Sequence, residues 1–371
     1  MAKLRQGLIY IIKWIFVFTA LILALGLTLS YLSPFISPED FWWIQLFGLA
    51  YPIMFFSAAI LTIVFLYFNR KISFLLGIIL LLGIPIHLRF FSFSSNQEPI
   101  SSDSNTVSVM SYNVRLFDMY KWVNNDSSTS KKGFINAFKK AQPDVLCLQE
   151  YVEDNRKLAN ITKNDIMEAG GFKYMTQKVT VQTKFVNFGL AVYSKYPIIN
   201  EGVIKSTNND MSCLFIDILK KKDTIRFYNT HLQSIRLQQD EYSIFDEKSP
   251  TSKSKLKKIY GLIGKLKNAY KPRLKQVSGI LKHAEKCHYP MVFCGDFNDP
   301  PISYIYGLFN EKYHDAFRAA SYGIGKTYAG KIPAGRIDYI FYNEKLNALN
   351  FERQNDIFSD HYAIWSTMEV K

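Results

Sequence analysis

Cysteine is scarce. Four in 371 residues are too few for a disulfide-stapled secreted scaffold, and their spacing fits no zinc site. They lie at Cys147, Cys213, Cys287 and Cys294, two of them inside apolar strand-like runs, where a free thiol behaves as a small hydrophobe. No disulfide-linked partner is expected. Charge is also sparse: 20% of residues are charged against 48% hydrophobic, which excludes a disordered or collagen-like chain. Negative charge is the scarcer sign, with 31 acids against 45 bases and a net charge of +14. Such an excess invites a nucleic-acid reading, but it is unevenly spread. Residues 1–93 hold six bases and two acids, residues 248–286 hold 12 bases and one acid, and everything else together carries −1. Two places, not the whole surface, make the chain basic.

Long apolar runs are confined to the amino-terminal quarter. Trp14–Leu32, Phe41–Phe68 and Ile72–Leu88 contain 19, 28 and 17 residues without a charge. A bilayer core requires about 20 apolar residues per helix, with a range of roughly 17–25. The spacing predicts three transmembrane helices at about 14–32, 41–68 and 72–88 within an anchor of residues 1–93. The first run exceeds the roughly 7–15 residues of a signal-peptide core and no A-x-A-like site follows it. Lys3, Arg5 and Lys13 precede the first run, the loop after it carries Glu39 and Asp40, and Arg70-Lys71 follow the second. Basic loops stay cytoplasmic. The expected localisation is thus a bacterial inner membrane, amino terminus inside and everything after the third helix on the periplasmic or extracytoplasmic side. A polar linker is expected over 94–105, then a domain of residues 106–371 without internal repeats.

Within that domain, short apolar runs read as strands: VSVMSYNVR (107–115), DVLCLQE (144–150), GLAVYS (189–194), TIRFYNT (224–230), MVFC (291–294) and IDYIFY (337–342). Residues 131–142 carry helical spacing. Alternating strands and helices make the class α/β with mixed sheets. The strand-like runs end in polar residues able to bind metal or move protons. Asn113 and Glu150 close the first two, His231 follows the fourth, and Asp296 and Asn298 follow Cys294-Gly295. Asp338 lies within the last, and Asp360-His361 precede Tyr-Ala-Ile-Trp. A polar residue at one strand end is ordinarily a turn or cap. Six such ends drawn from Asn, Asp, Glu and His point to one site.

SYNVR, DVLCLQE, NTHL, GDFNDPP, RIDYIF and SDHYAI, in this order, resemble the motif set of the endonuclease/exonuclease/phosphatase superfamily. The resemblance covers about residues 107–370. It implies a four-layer α/β sandwich, two mixed β-sheets flanked by helices, and a phosphate-ester hydrolase using Mg2+ or Mn2+. By resemblance Asn113, Glu150 and Asp360 are the metal ligands, an oxygen set suited to a hard divalent cation. Asp296 with Asn298 resembles the pair that orients and deprotonates the attacking water, His361 with Asp338 the histidine–carboxylate pair at the scissile phosphate, and His231 a second histidine at the oxyanion or leaving group. Alternate positions on an extended segment would point 296 and 298 the same way. Arg115 fits either a phosphate contact or a surface salt bridge. Three membrane helices ahead of such a domain are similar to the bacterial membrane-anchored subgroup that includes the teicoplanin-resistance protein VanJ.

Between NTHL and GDFN, apolar residues recur every three or four positions from Leu256 to Leu281 among the lysines, predicting amphipathic helix broken near Pro272. A basic amphipathic helix suits either anionic lipid or a solvated face. Three functions follow: a phosphoesterase acting on a lipid-linked phosphate or phospholipid head group; an extracytoplasmic nuclease acting on DNA or RNA; and an inactive binding module, which retention of every candidate ligand and both histidines disfavours.

Overall fold

The computed structural model describes residues 2–94, 105–123, 127–154, 161–205, 211–235, 252–330 and 335–371. The chain divides into two units, Met1–Phe90 with Pro300–Leu308, and Phe91–Asp299 with Phe309–Lys371.

The first unit carries helices α1 (Ala2–Leu32), α2 (Pro38–Phe41), α3 (Ile44–Phe68), α4 (Arg70–Leu82) and α5 (Ile84–Phe90). Tyr10–Leu32 and α3 are each long and apolar enough to cross a membrane. The pair α4 and α5, bent by 61° at Gly83, makes a third span if counted as one. The expected third helix is therefore present but bent. Ile53 and Phe68 of α3 are more than 70% exposed, an arrangement that lipid solvates and water does not. The helices meet through Ala20, Ala24, Phe65 and Leu76, where small residues let backbones approach. Gln45, the polar residue early in α3, is fully engaged: its Oε1 accepts from the Ser33 hydroxyl at 2.9 Å and its Nε2 donates to the carbonyls of Ser33 and Ile36.

The second unit begins with β1 (Phe91–Phe93), antiparallel to β11 (Tyr322–Ile324). Residues 95–104, most of the expected linker, lie outside the described residues. One sheet runs β13 (Leu346–Ala348), β15 (Ile364–Val370), β2 (Thr106–Asn113), β3 (Val145–Asp154), β5 (Val186–Ser194), β4 (Tyr174–Gln182), with β14 (Glu352–Arg353) also on β15. The other runs β10 (His314–Asp315), β12 (Asp338–Tyr342), β9 (Met291–Asp296), β8 (Asp223–His231), β7 (Met211–Lys220), β6 (Ile198–Lys205). Both mix parallel and antiparallel pairs: β2–β3 and β8–β9 are parallel. Side chains alternate along each strand. Val107, Val109, Val145, Cys147, Leu190 and Val192 of the first sheet therefore meet Ile225, Phe227, Val292, Cys294 and Ile340 of the second in one buried core. The reverse face of the first sheet packs on α6 (Ser127–Ala141) and α7 (Lys163–Gly170) through Phe134, Phe138 and Ile166. Against the reverse face of the second sheet lie α8 (Ser252–Ala284) and α9 (Tyr304–Lys312), the latter entering this unit at Phe309, which stacks on Phe341 and meets Phe293 edge-on. A short α10 (Ala316–Ala320) completes the set. The result is the four-layer α/β sandwich that the motif order implies. All four cysteines are free, three of them buried.

α8 is one helix across Pro272, contrary to the break expected there. A proline in a helix interior forfeits one intrahelical hydrogen bond, but the buried stripe of Ala269, Tyr270, Arg273, Val277, Ile280 and Ala284 continues on both sides of it and holds the helix down. Arg273, 2% exposed, donates to the Asp299 carboxylate at 3.0 Å and to the Gln233 carbonyl at 2.7 Å. Removing one partner of a buried ion pair costs about 3–5 kcal/mol. Arg273→Met is thus expected to lower the thermal midpoint of the full chain by several degrees, and a parent-like midpoint would show the pair to be dispensable.

Candidate active site

The alternation that builds the core also builds the site. On β2, β8, β9 and β12 the inward positions continue past the apolar residues into Asn113, His231, Asp296 and Asp338. Register then places them side by side: His231 pairs with Asp296 across β8–β9, and Asp338 with Asp296 across β9–β12. Gly295 makes this approach possible. Its φ is +140°, and a Cβ there would lie 1.8 Å from the Thr230 carbonyl oxygen.

Asp296 is the hub. Its Oδ2 accepts from Asn113 Nδ2 at 3.0 Å and from Asn298 Nδ2 at 3.1 Å, and its Oδ1 from the Asn298 backbone N–H at 2.8 Å. The strand ends at Asp296 and Asn298 has a φ of +53°, so a side-chain-closed turn, not strand alternation, brings 296 and 298 together. Nε2 of both histidines lies 3.7 Å from Asp296 Oδ2. His361 Nδ1 faces both oxygens of Asp338, at 3.0 and 2.9 Å. Thr327 Oγ1 holds that carboxylate's backbone in place by accepting the N–H groups of Ile337 and Asp338.

Glu150 is delivered by an irregularity. The β3–β5 register shifts between Leu148 and Tyr151, and Glu150 takes a φ of +49°. Such bulges re-aim a side chain, here to 3.2 Å from Asn113 Nδ2. Asp360 comes from the Ser359–His361 turn, with Ser359 Oγ donating to the Asn113 carbonyl at 2.8 Å. Arg115 reaches Asp360 at 2.8 Å and lies over the Trp122 ring. All nine residues expected from sequence therefore gather at one end of the sandwich. In the observed orientation Asn113 turns its NH2 toward Glu150 and Asp296, and its oxygen accepts from the Arg115 N–H. The opposite amide orientation would offer the oxygen to a cation.

Burial pushes the Asp296 and Asp360 carboxyls up, opposed by His361 and assisted by neighbouring carboxylates. Burial works against charging His361, yet Asp338, Asp296 and Asp360 outweigh it and raise the imidazole well above its ordinary value. Asp296, Asp338 and His361 offer donor atoms within 4.8 Å of one another. With its Nδ1 committed to Asp338 at 2.9 Å, His361 reads as part of a positioned histidine–carboxylate pair beside Asp296. Asn113, Glu150 and Asp360 are the oxygen donors better suited to a hard cation. His231 Nε2 is buried and has no hydrogen-bond partner among the described residues.

Several participants escaped sequence reasoning. Asn229 and Gln149 bond to each other at 2.7 Å beneath the site, and both stood inside the quoted motifs. Leu116 and Phe188 border the site beside Glu150 and His231, with no local signal to mark them.

A buried carboxylate hub, a histidine–carboxylate pair and a rim of oxygen donors on a four-layer sandwich define a metal-dependent phosphoric-ester hydrolase. The model of the endonuclease/exonuclease/phosphatase family matches residues 110–361, about two thirds of the chain, and the protein belongs to that family. A domain family of unknown function matches residues 13–90. Among solved structures, the fold is similar to an endonuclease/exonuclease/phosphatase family protein from Leptotrichia buccalis C-1013-b (17% identity, 71% of this chain and 99% of that one, TM-score 0.52). It is also similar to the endonuclease/exonuclease/phosphatase from Bacteroides vulgatus (14% identity, 72% and 100%, TM-score 0.53). No curated protein matches in sequence.

Proposed function

We propose that the chain is a membrane-anchored phosphoesterase that hydrolyses a lipid-linked phosphate or phospholipid head group on the outer side of a bacterial inner membrane. The observation that carries this reading is the convergence of the Asp296 hub, the His361–Asp338 pair and a His231 Nε2 that makes no hydrogen bond among the described residues in a chain whose first 90 residues contain two to three apolar spans. The anchor keeps the site near substrates confined to a bilayer, which raises their effective concentration.

Asn113, Glu150 and Asp360 are assigned to hold Mg2+ or Mn2+. The fit is chemical: the three supply oxygen donors, and burial raises the Asp360 carboxyl, with Glu150 and Asp296 adding to it, a cost that a cation would relieve. When bound, such a cation neutralises phosphate charge and polarises the P–O bond. Asp296, oriented by Asn298, takes a proton from water as the water oxygen bonds to phosphorus and the ester P–O bond breaks. His361, oriented by Asp338 through Nδ1, faces a phosphate oxygen, and His231 Nε2 stands where the departing oxygen collects its proton. Arg115, tied to Asp360, can turn its remaining donors to the phosphate.

The basic amino-terminal half of α8 supports a lipid surface. Its Leu256 and Tyr260 are 54% and 72% exposed, an apolar edge among lysines suited to anionic head groups. The full chain in nanodiscs with Mg2+ is expected to turn over polyprenyl pyrophosphate or a sphingomyelin-like lipid, to lose that activity in EDTA and to regain it with Mg2+. Plasmid DNA and bis-p-nitrophenyl phosphate complete the panel. DNA cleavage without lipid-phosphate turnover would instead establish an outer-surface nuclease whose basic helix tracks phosphates.

A further inference from the structure

A small cavity opens beside the proposed chemistry. It has a volume of about 110 Å³ and is bordered by Leu116, Glu150, Thr180, Phe188, Leu190 and His231. Taking about 30 Å³ per water-sized group, it holds roughly four carbon-sized groups. Its two ionisable residues, Glu150 and His231, belong to the proposed reaction centre. The rest of the wall offers little to a polar ligand: three apolar side chains, and a threonine whose hydroxyl already donates to the Phe188 carbonyl at 2.9 Å. A sugar or base placed here would lose hydrogen bonds to water without replacement.

The wall is built at conformational cost. Leu116 lies in four successive non-glycine residues with positive φ, Arg115 at 40°, Leu116 at 56°, Phe117 at 53° and Asp118 at 54°. Left-handed geometry is sterically disfavoured for an L-residue. The turn is locked by Phe117, buried in the outer core, and by Asp118, which accepts from the Val123 N–H and the Ser130 hydroxyl. On the other wall, Gly189 lies against β4 so closely that a Cβ would meet the Lys178 carbonyl oxygen at 1.9 Å. The adjoining β4–β5 hairpin exposes Val179, Val181 and Phe185 by 43%, 54% and 46%, interleaved with Lys178, Gln182 and Lys184. Exposed apolar residues on an edge strand are ordinarily avoided.

We propose that this cavity seats the first carbons of the hydrocarbon group esterified to the phosphate, an alkyl or isoprenoid chain, and that Leu116, Phe188 and Leu190 set the preference for it. The assignment rests on the site reading above and deepens it. An apolar wall beside Glu150 and His231, next to a hairpin that exposes three apolar side chains, fits one occupant, a lipid alcohol.

The test uses the full chain with Mg2+ and n-alkyl phosphates from methyl to hexyl, following release of the n-alkanol, so that the alkyl group is the one that departs beside His231. Each buried methylene contributes about 0.8 kcal/mol, so kcat/KM is expected to rise about fourfold per carbon over roughly the first four carbons and then level off. Leu116→Ser and Phe188→Ser should flatten that slope, and Leu116→Phe, which fills the space, should move the plateau to shorter chains. Turnover independent of chain length in the parent protein would overturn the cavity assignment whatever the variants do, as would a parent-like slope in all three folded variants. Absence of turnover on every ester would overturn the site reading, and the cavity assignment with it.

Discussion

Replacing Asp296 by asparagine is expected to lower phosphate-ester turnover by about 10²–10⁴-fold, the range supplied by a positioned general base, with the fold retained and a thermal midpoint lowered by roughly 2–12 °C, the loss of two hydrogen bonds of about 0.5–1.5 kcal/mol each at about 2–4 °C per kcal/mol. Asparagine preserves the volume of a side chain that is 1% exposed. Its oxygen can still accept the 2.8 Å bond from the Asn298 N–H, while the NH2 that replaces Oδ2 gives up the bonds from Asn113 Nδ2 and Asn298 Nδ2. What it removes is the ability to take a proton from water between two histidine Nε2 atoms, each 3.7 Å away. The measurement is kcat/KM on bis-p-nitrophenyl phosphate with saturating Mg2+, beside a thermal melt. Turnover within tenfold of the parent would take Asp296 out of the proton-transfer step.

Gly295→Ala is expected to be the most damaging single methyl group in the second unit. The added Cβ would sit 1.8 Å from the Thr230 carbonyl oxygen and 2.7 Å from its carbon. These are backbone atoms of the adjacent strand and cannot swing aside. The residue also holds a φ of +140°, which side-chain-bearing residues adopt only with strain. Strain of about 1–3 kcal/mol and overpacking of about 1–3 kcal/mol give a loss of roughly 2–6 kcal/mol, a fall in midpoint of at least ~5 °C. Any folded remainder should also lose activity, since Thr230–Gly295 precedes the His231–Asp296 pair in the same register. Gly261→Ala on α8 is the control: a Cβ there meets nothing within 4 Å, and alanine in a helix interior is favoured by about 0.5–1 kcal/mol. If both substitutions leave the midpoint unchanged, the close approach of β8 and β9 is not what holds the site.

Legibility followed the locality of each signal. The central strands β2, β3, β8, β9 and β12 were readable because each is an apolar run closed by a polar residue, a mark carried by residue order alone. The flanking strands β4 (YMTQKVTVQ), β6 (IINEGVIK) and β7 left weaker traces: the first two are edge strands, with one side unpaired and no strict alternation to impose. Pro272 misled for the opposite reason. Its local preference is to break a helix, and packing of the Arg273 stripe overrides it. The pairing of Asp296 with Asn298 was anticipated, but through strand alternation; the turn that creates it depends on a left-handed Asn298 that no pattern announced.

Apolar run length and motif order, both properties of short stretches of chain, were sufficient to mark the helices long and apolar enough to cross a membrane, the sandwich, and nine polar residues that the fold gathers at one end. Which of those residues touch is a different matter. His231, Asp296 and Asp338 become neighbours only through strand register, Glu150 only through a bulge, and Leu116 and Phe188 only because a left-handed turn and a hairpin close on the same space. Those relations join positions separated by tens to hundreds of residues, and sheet packing, which no short stretch can encode, sets them.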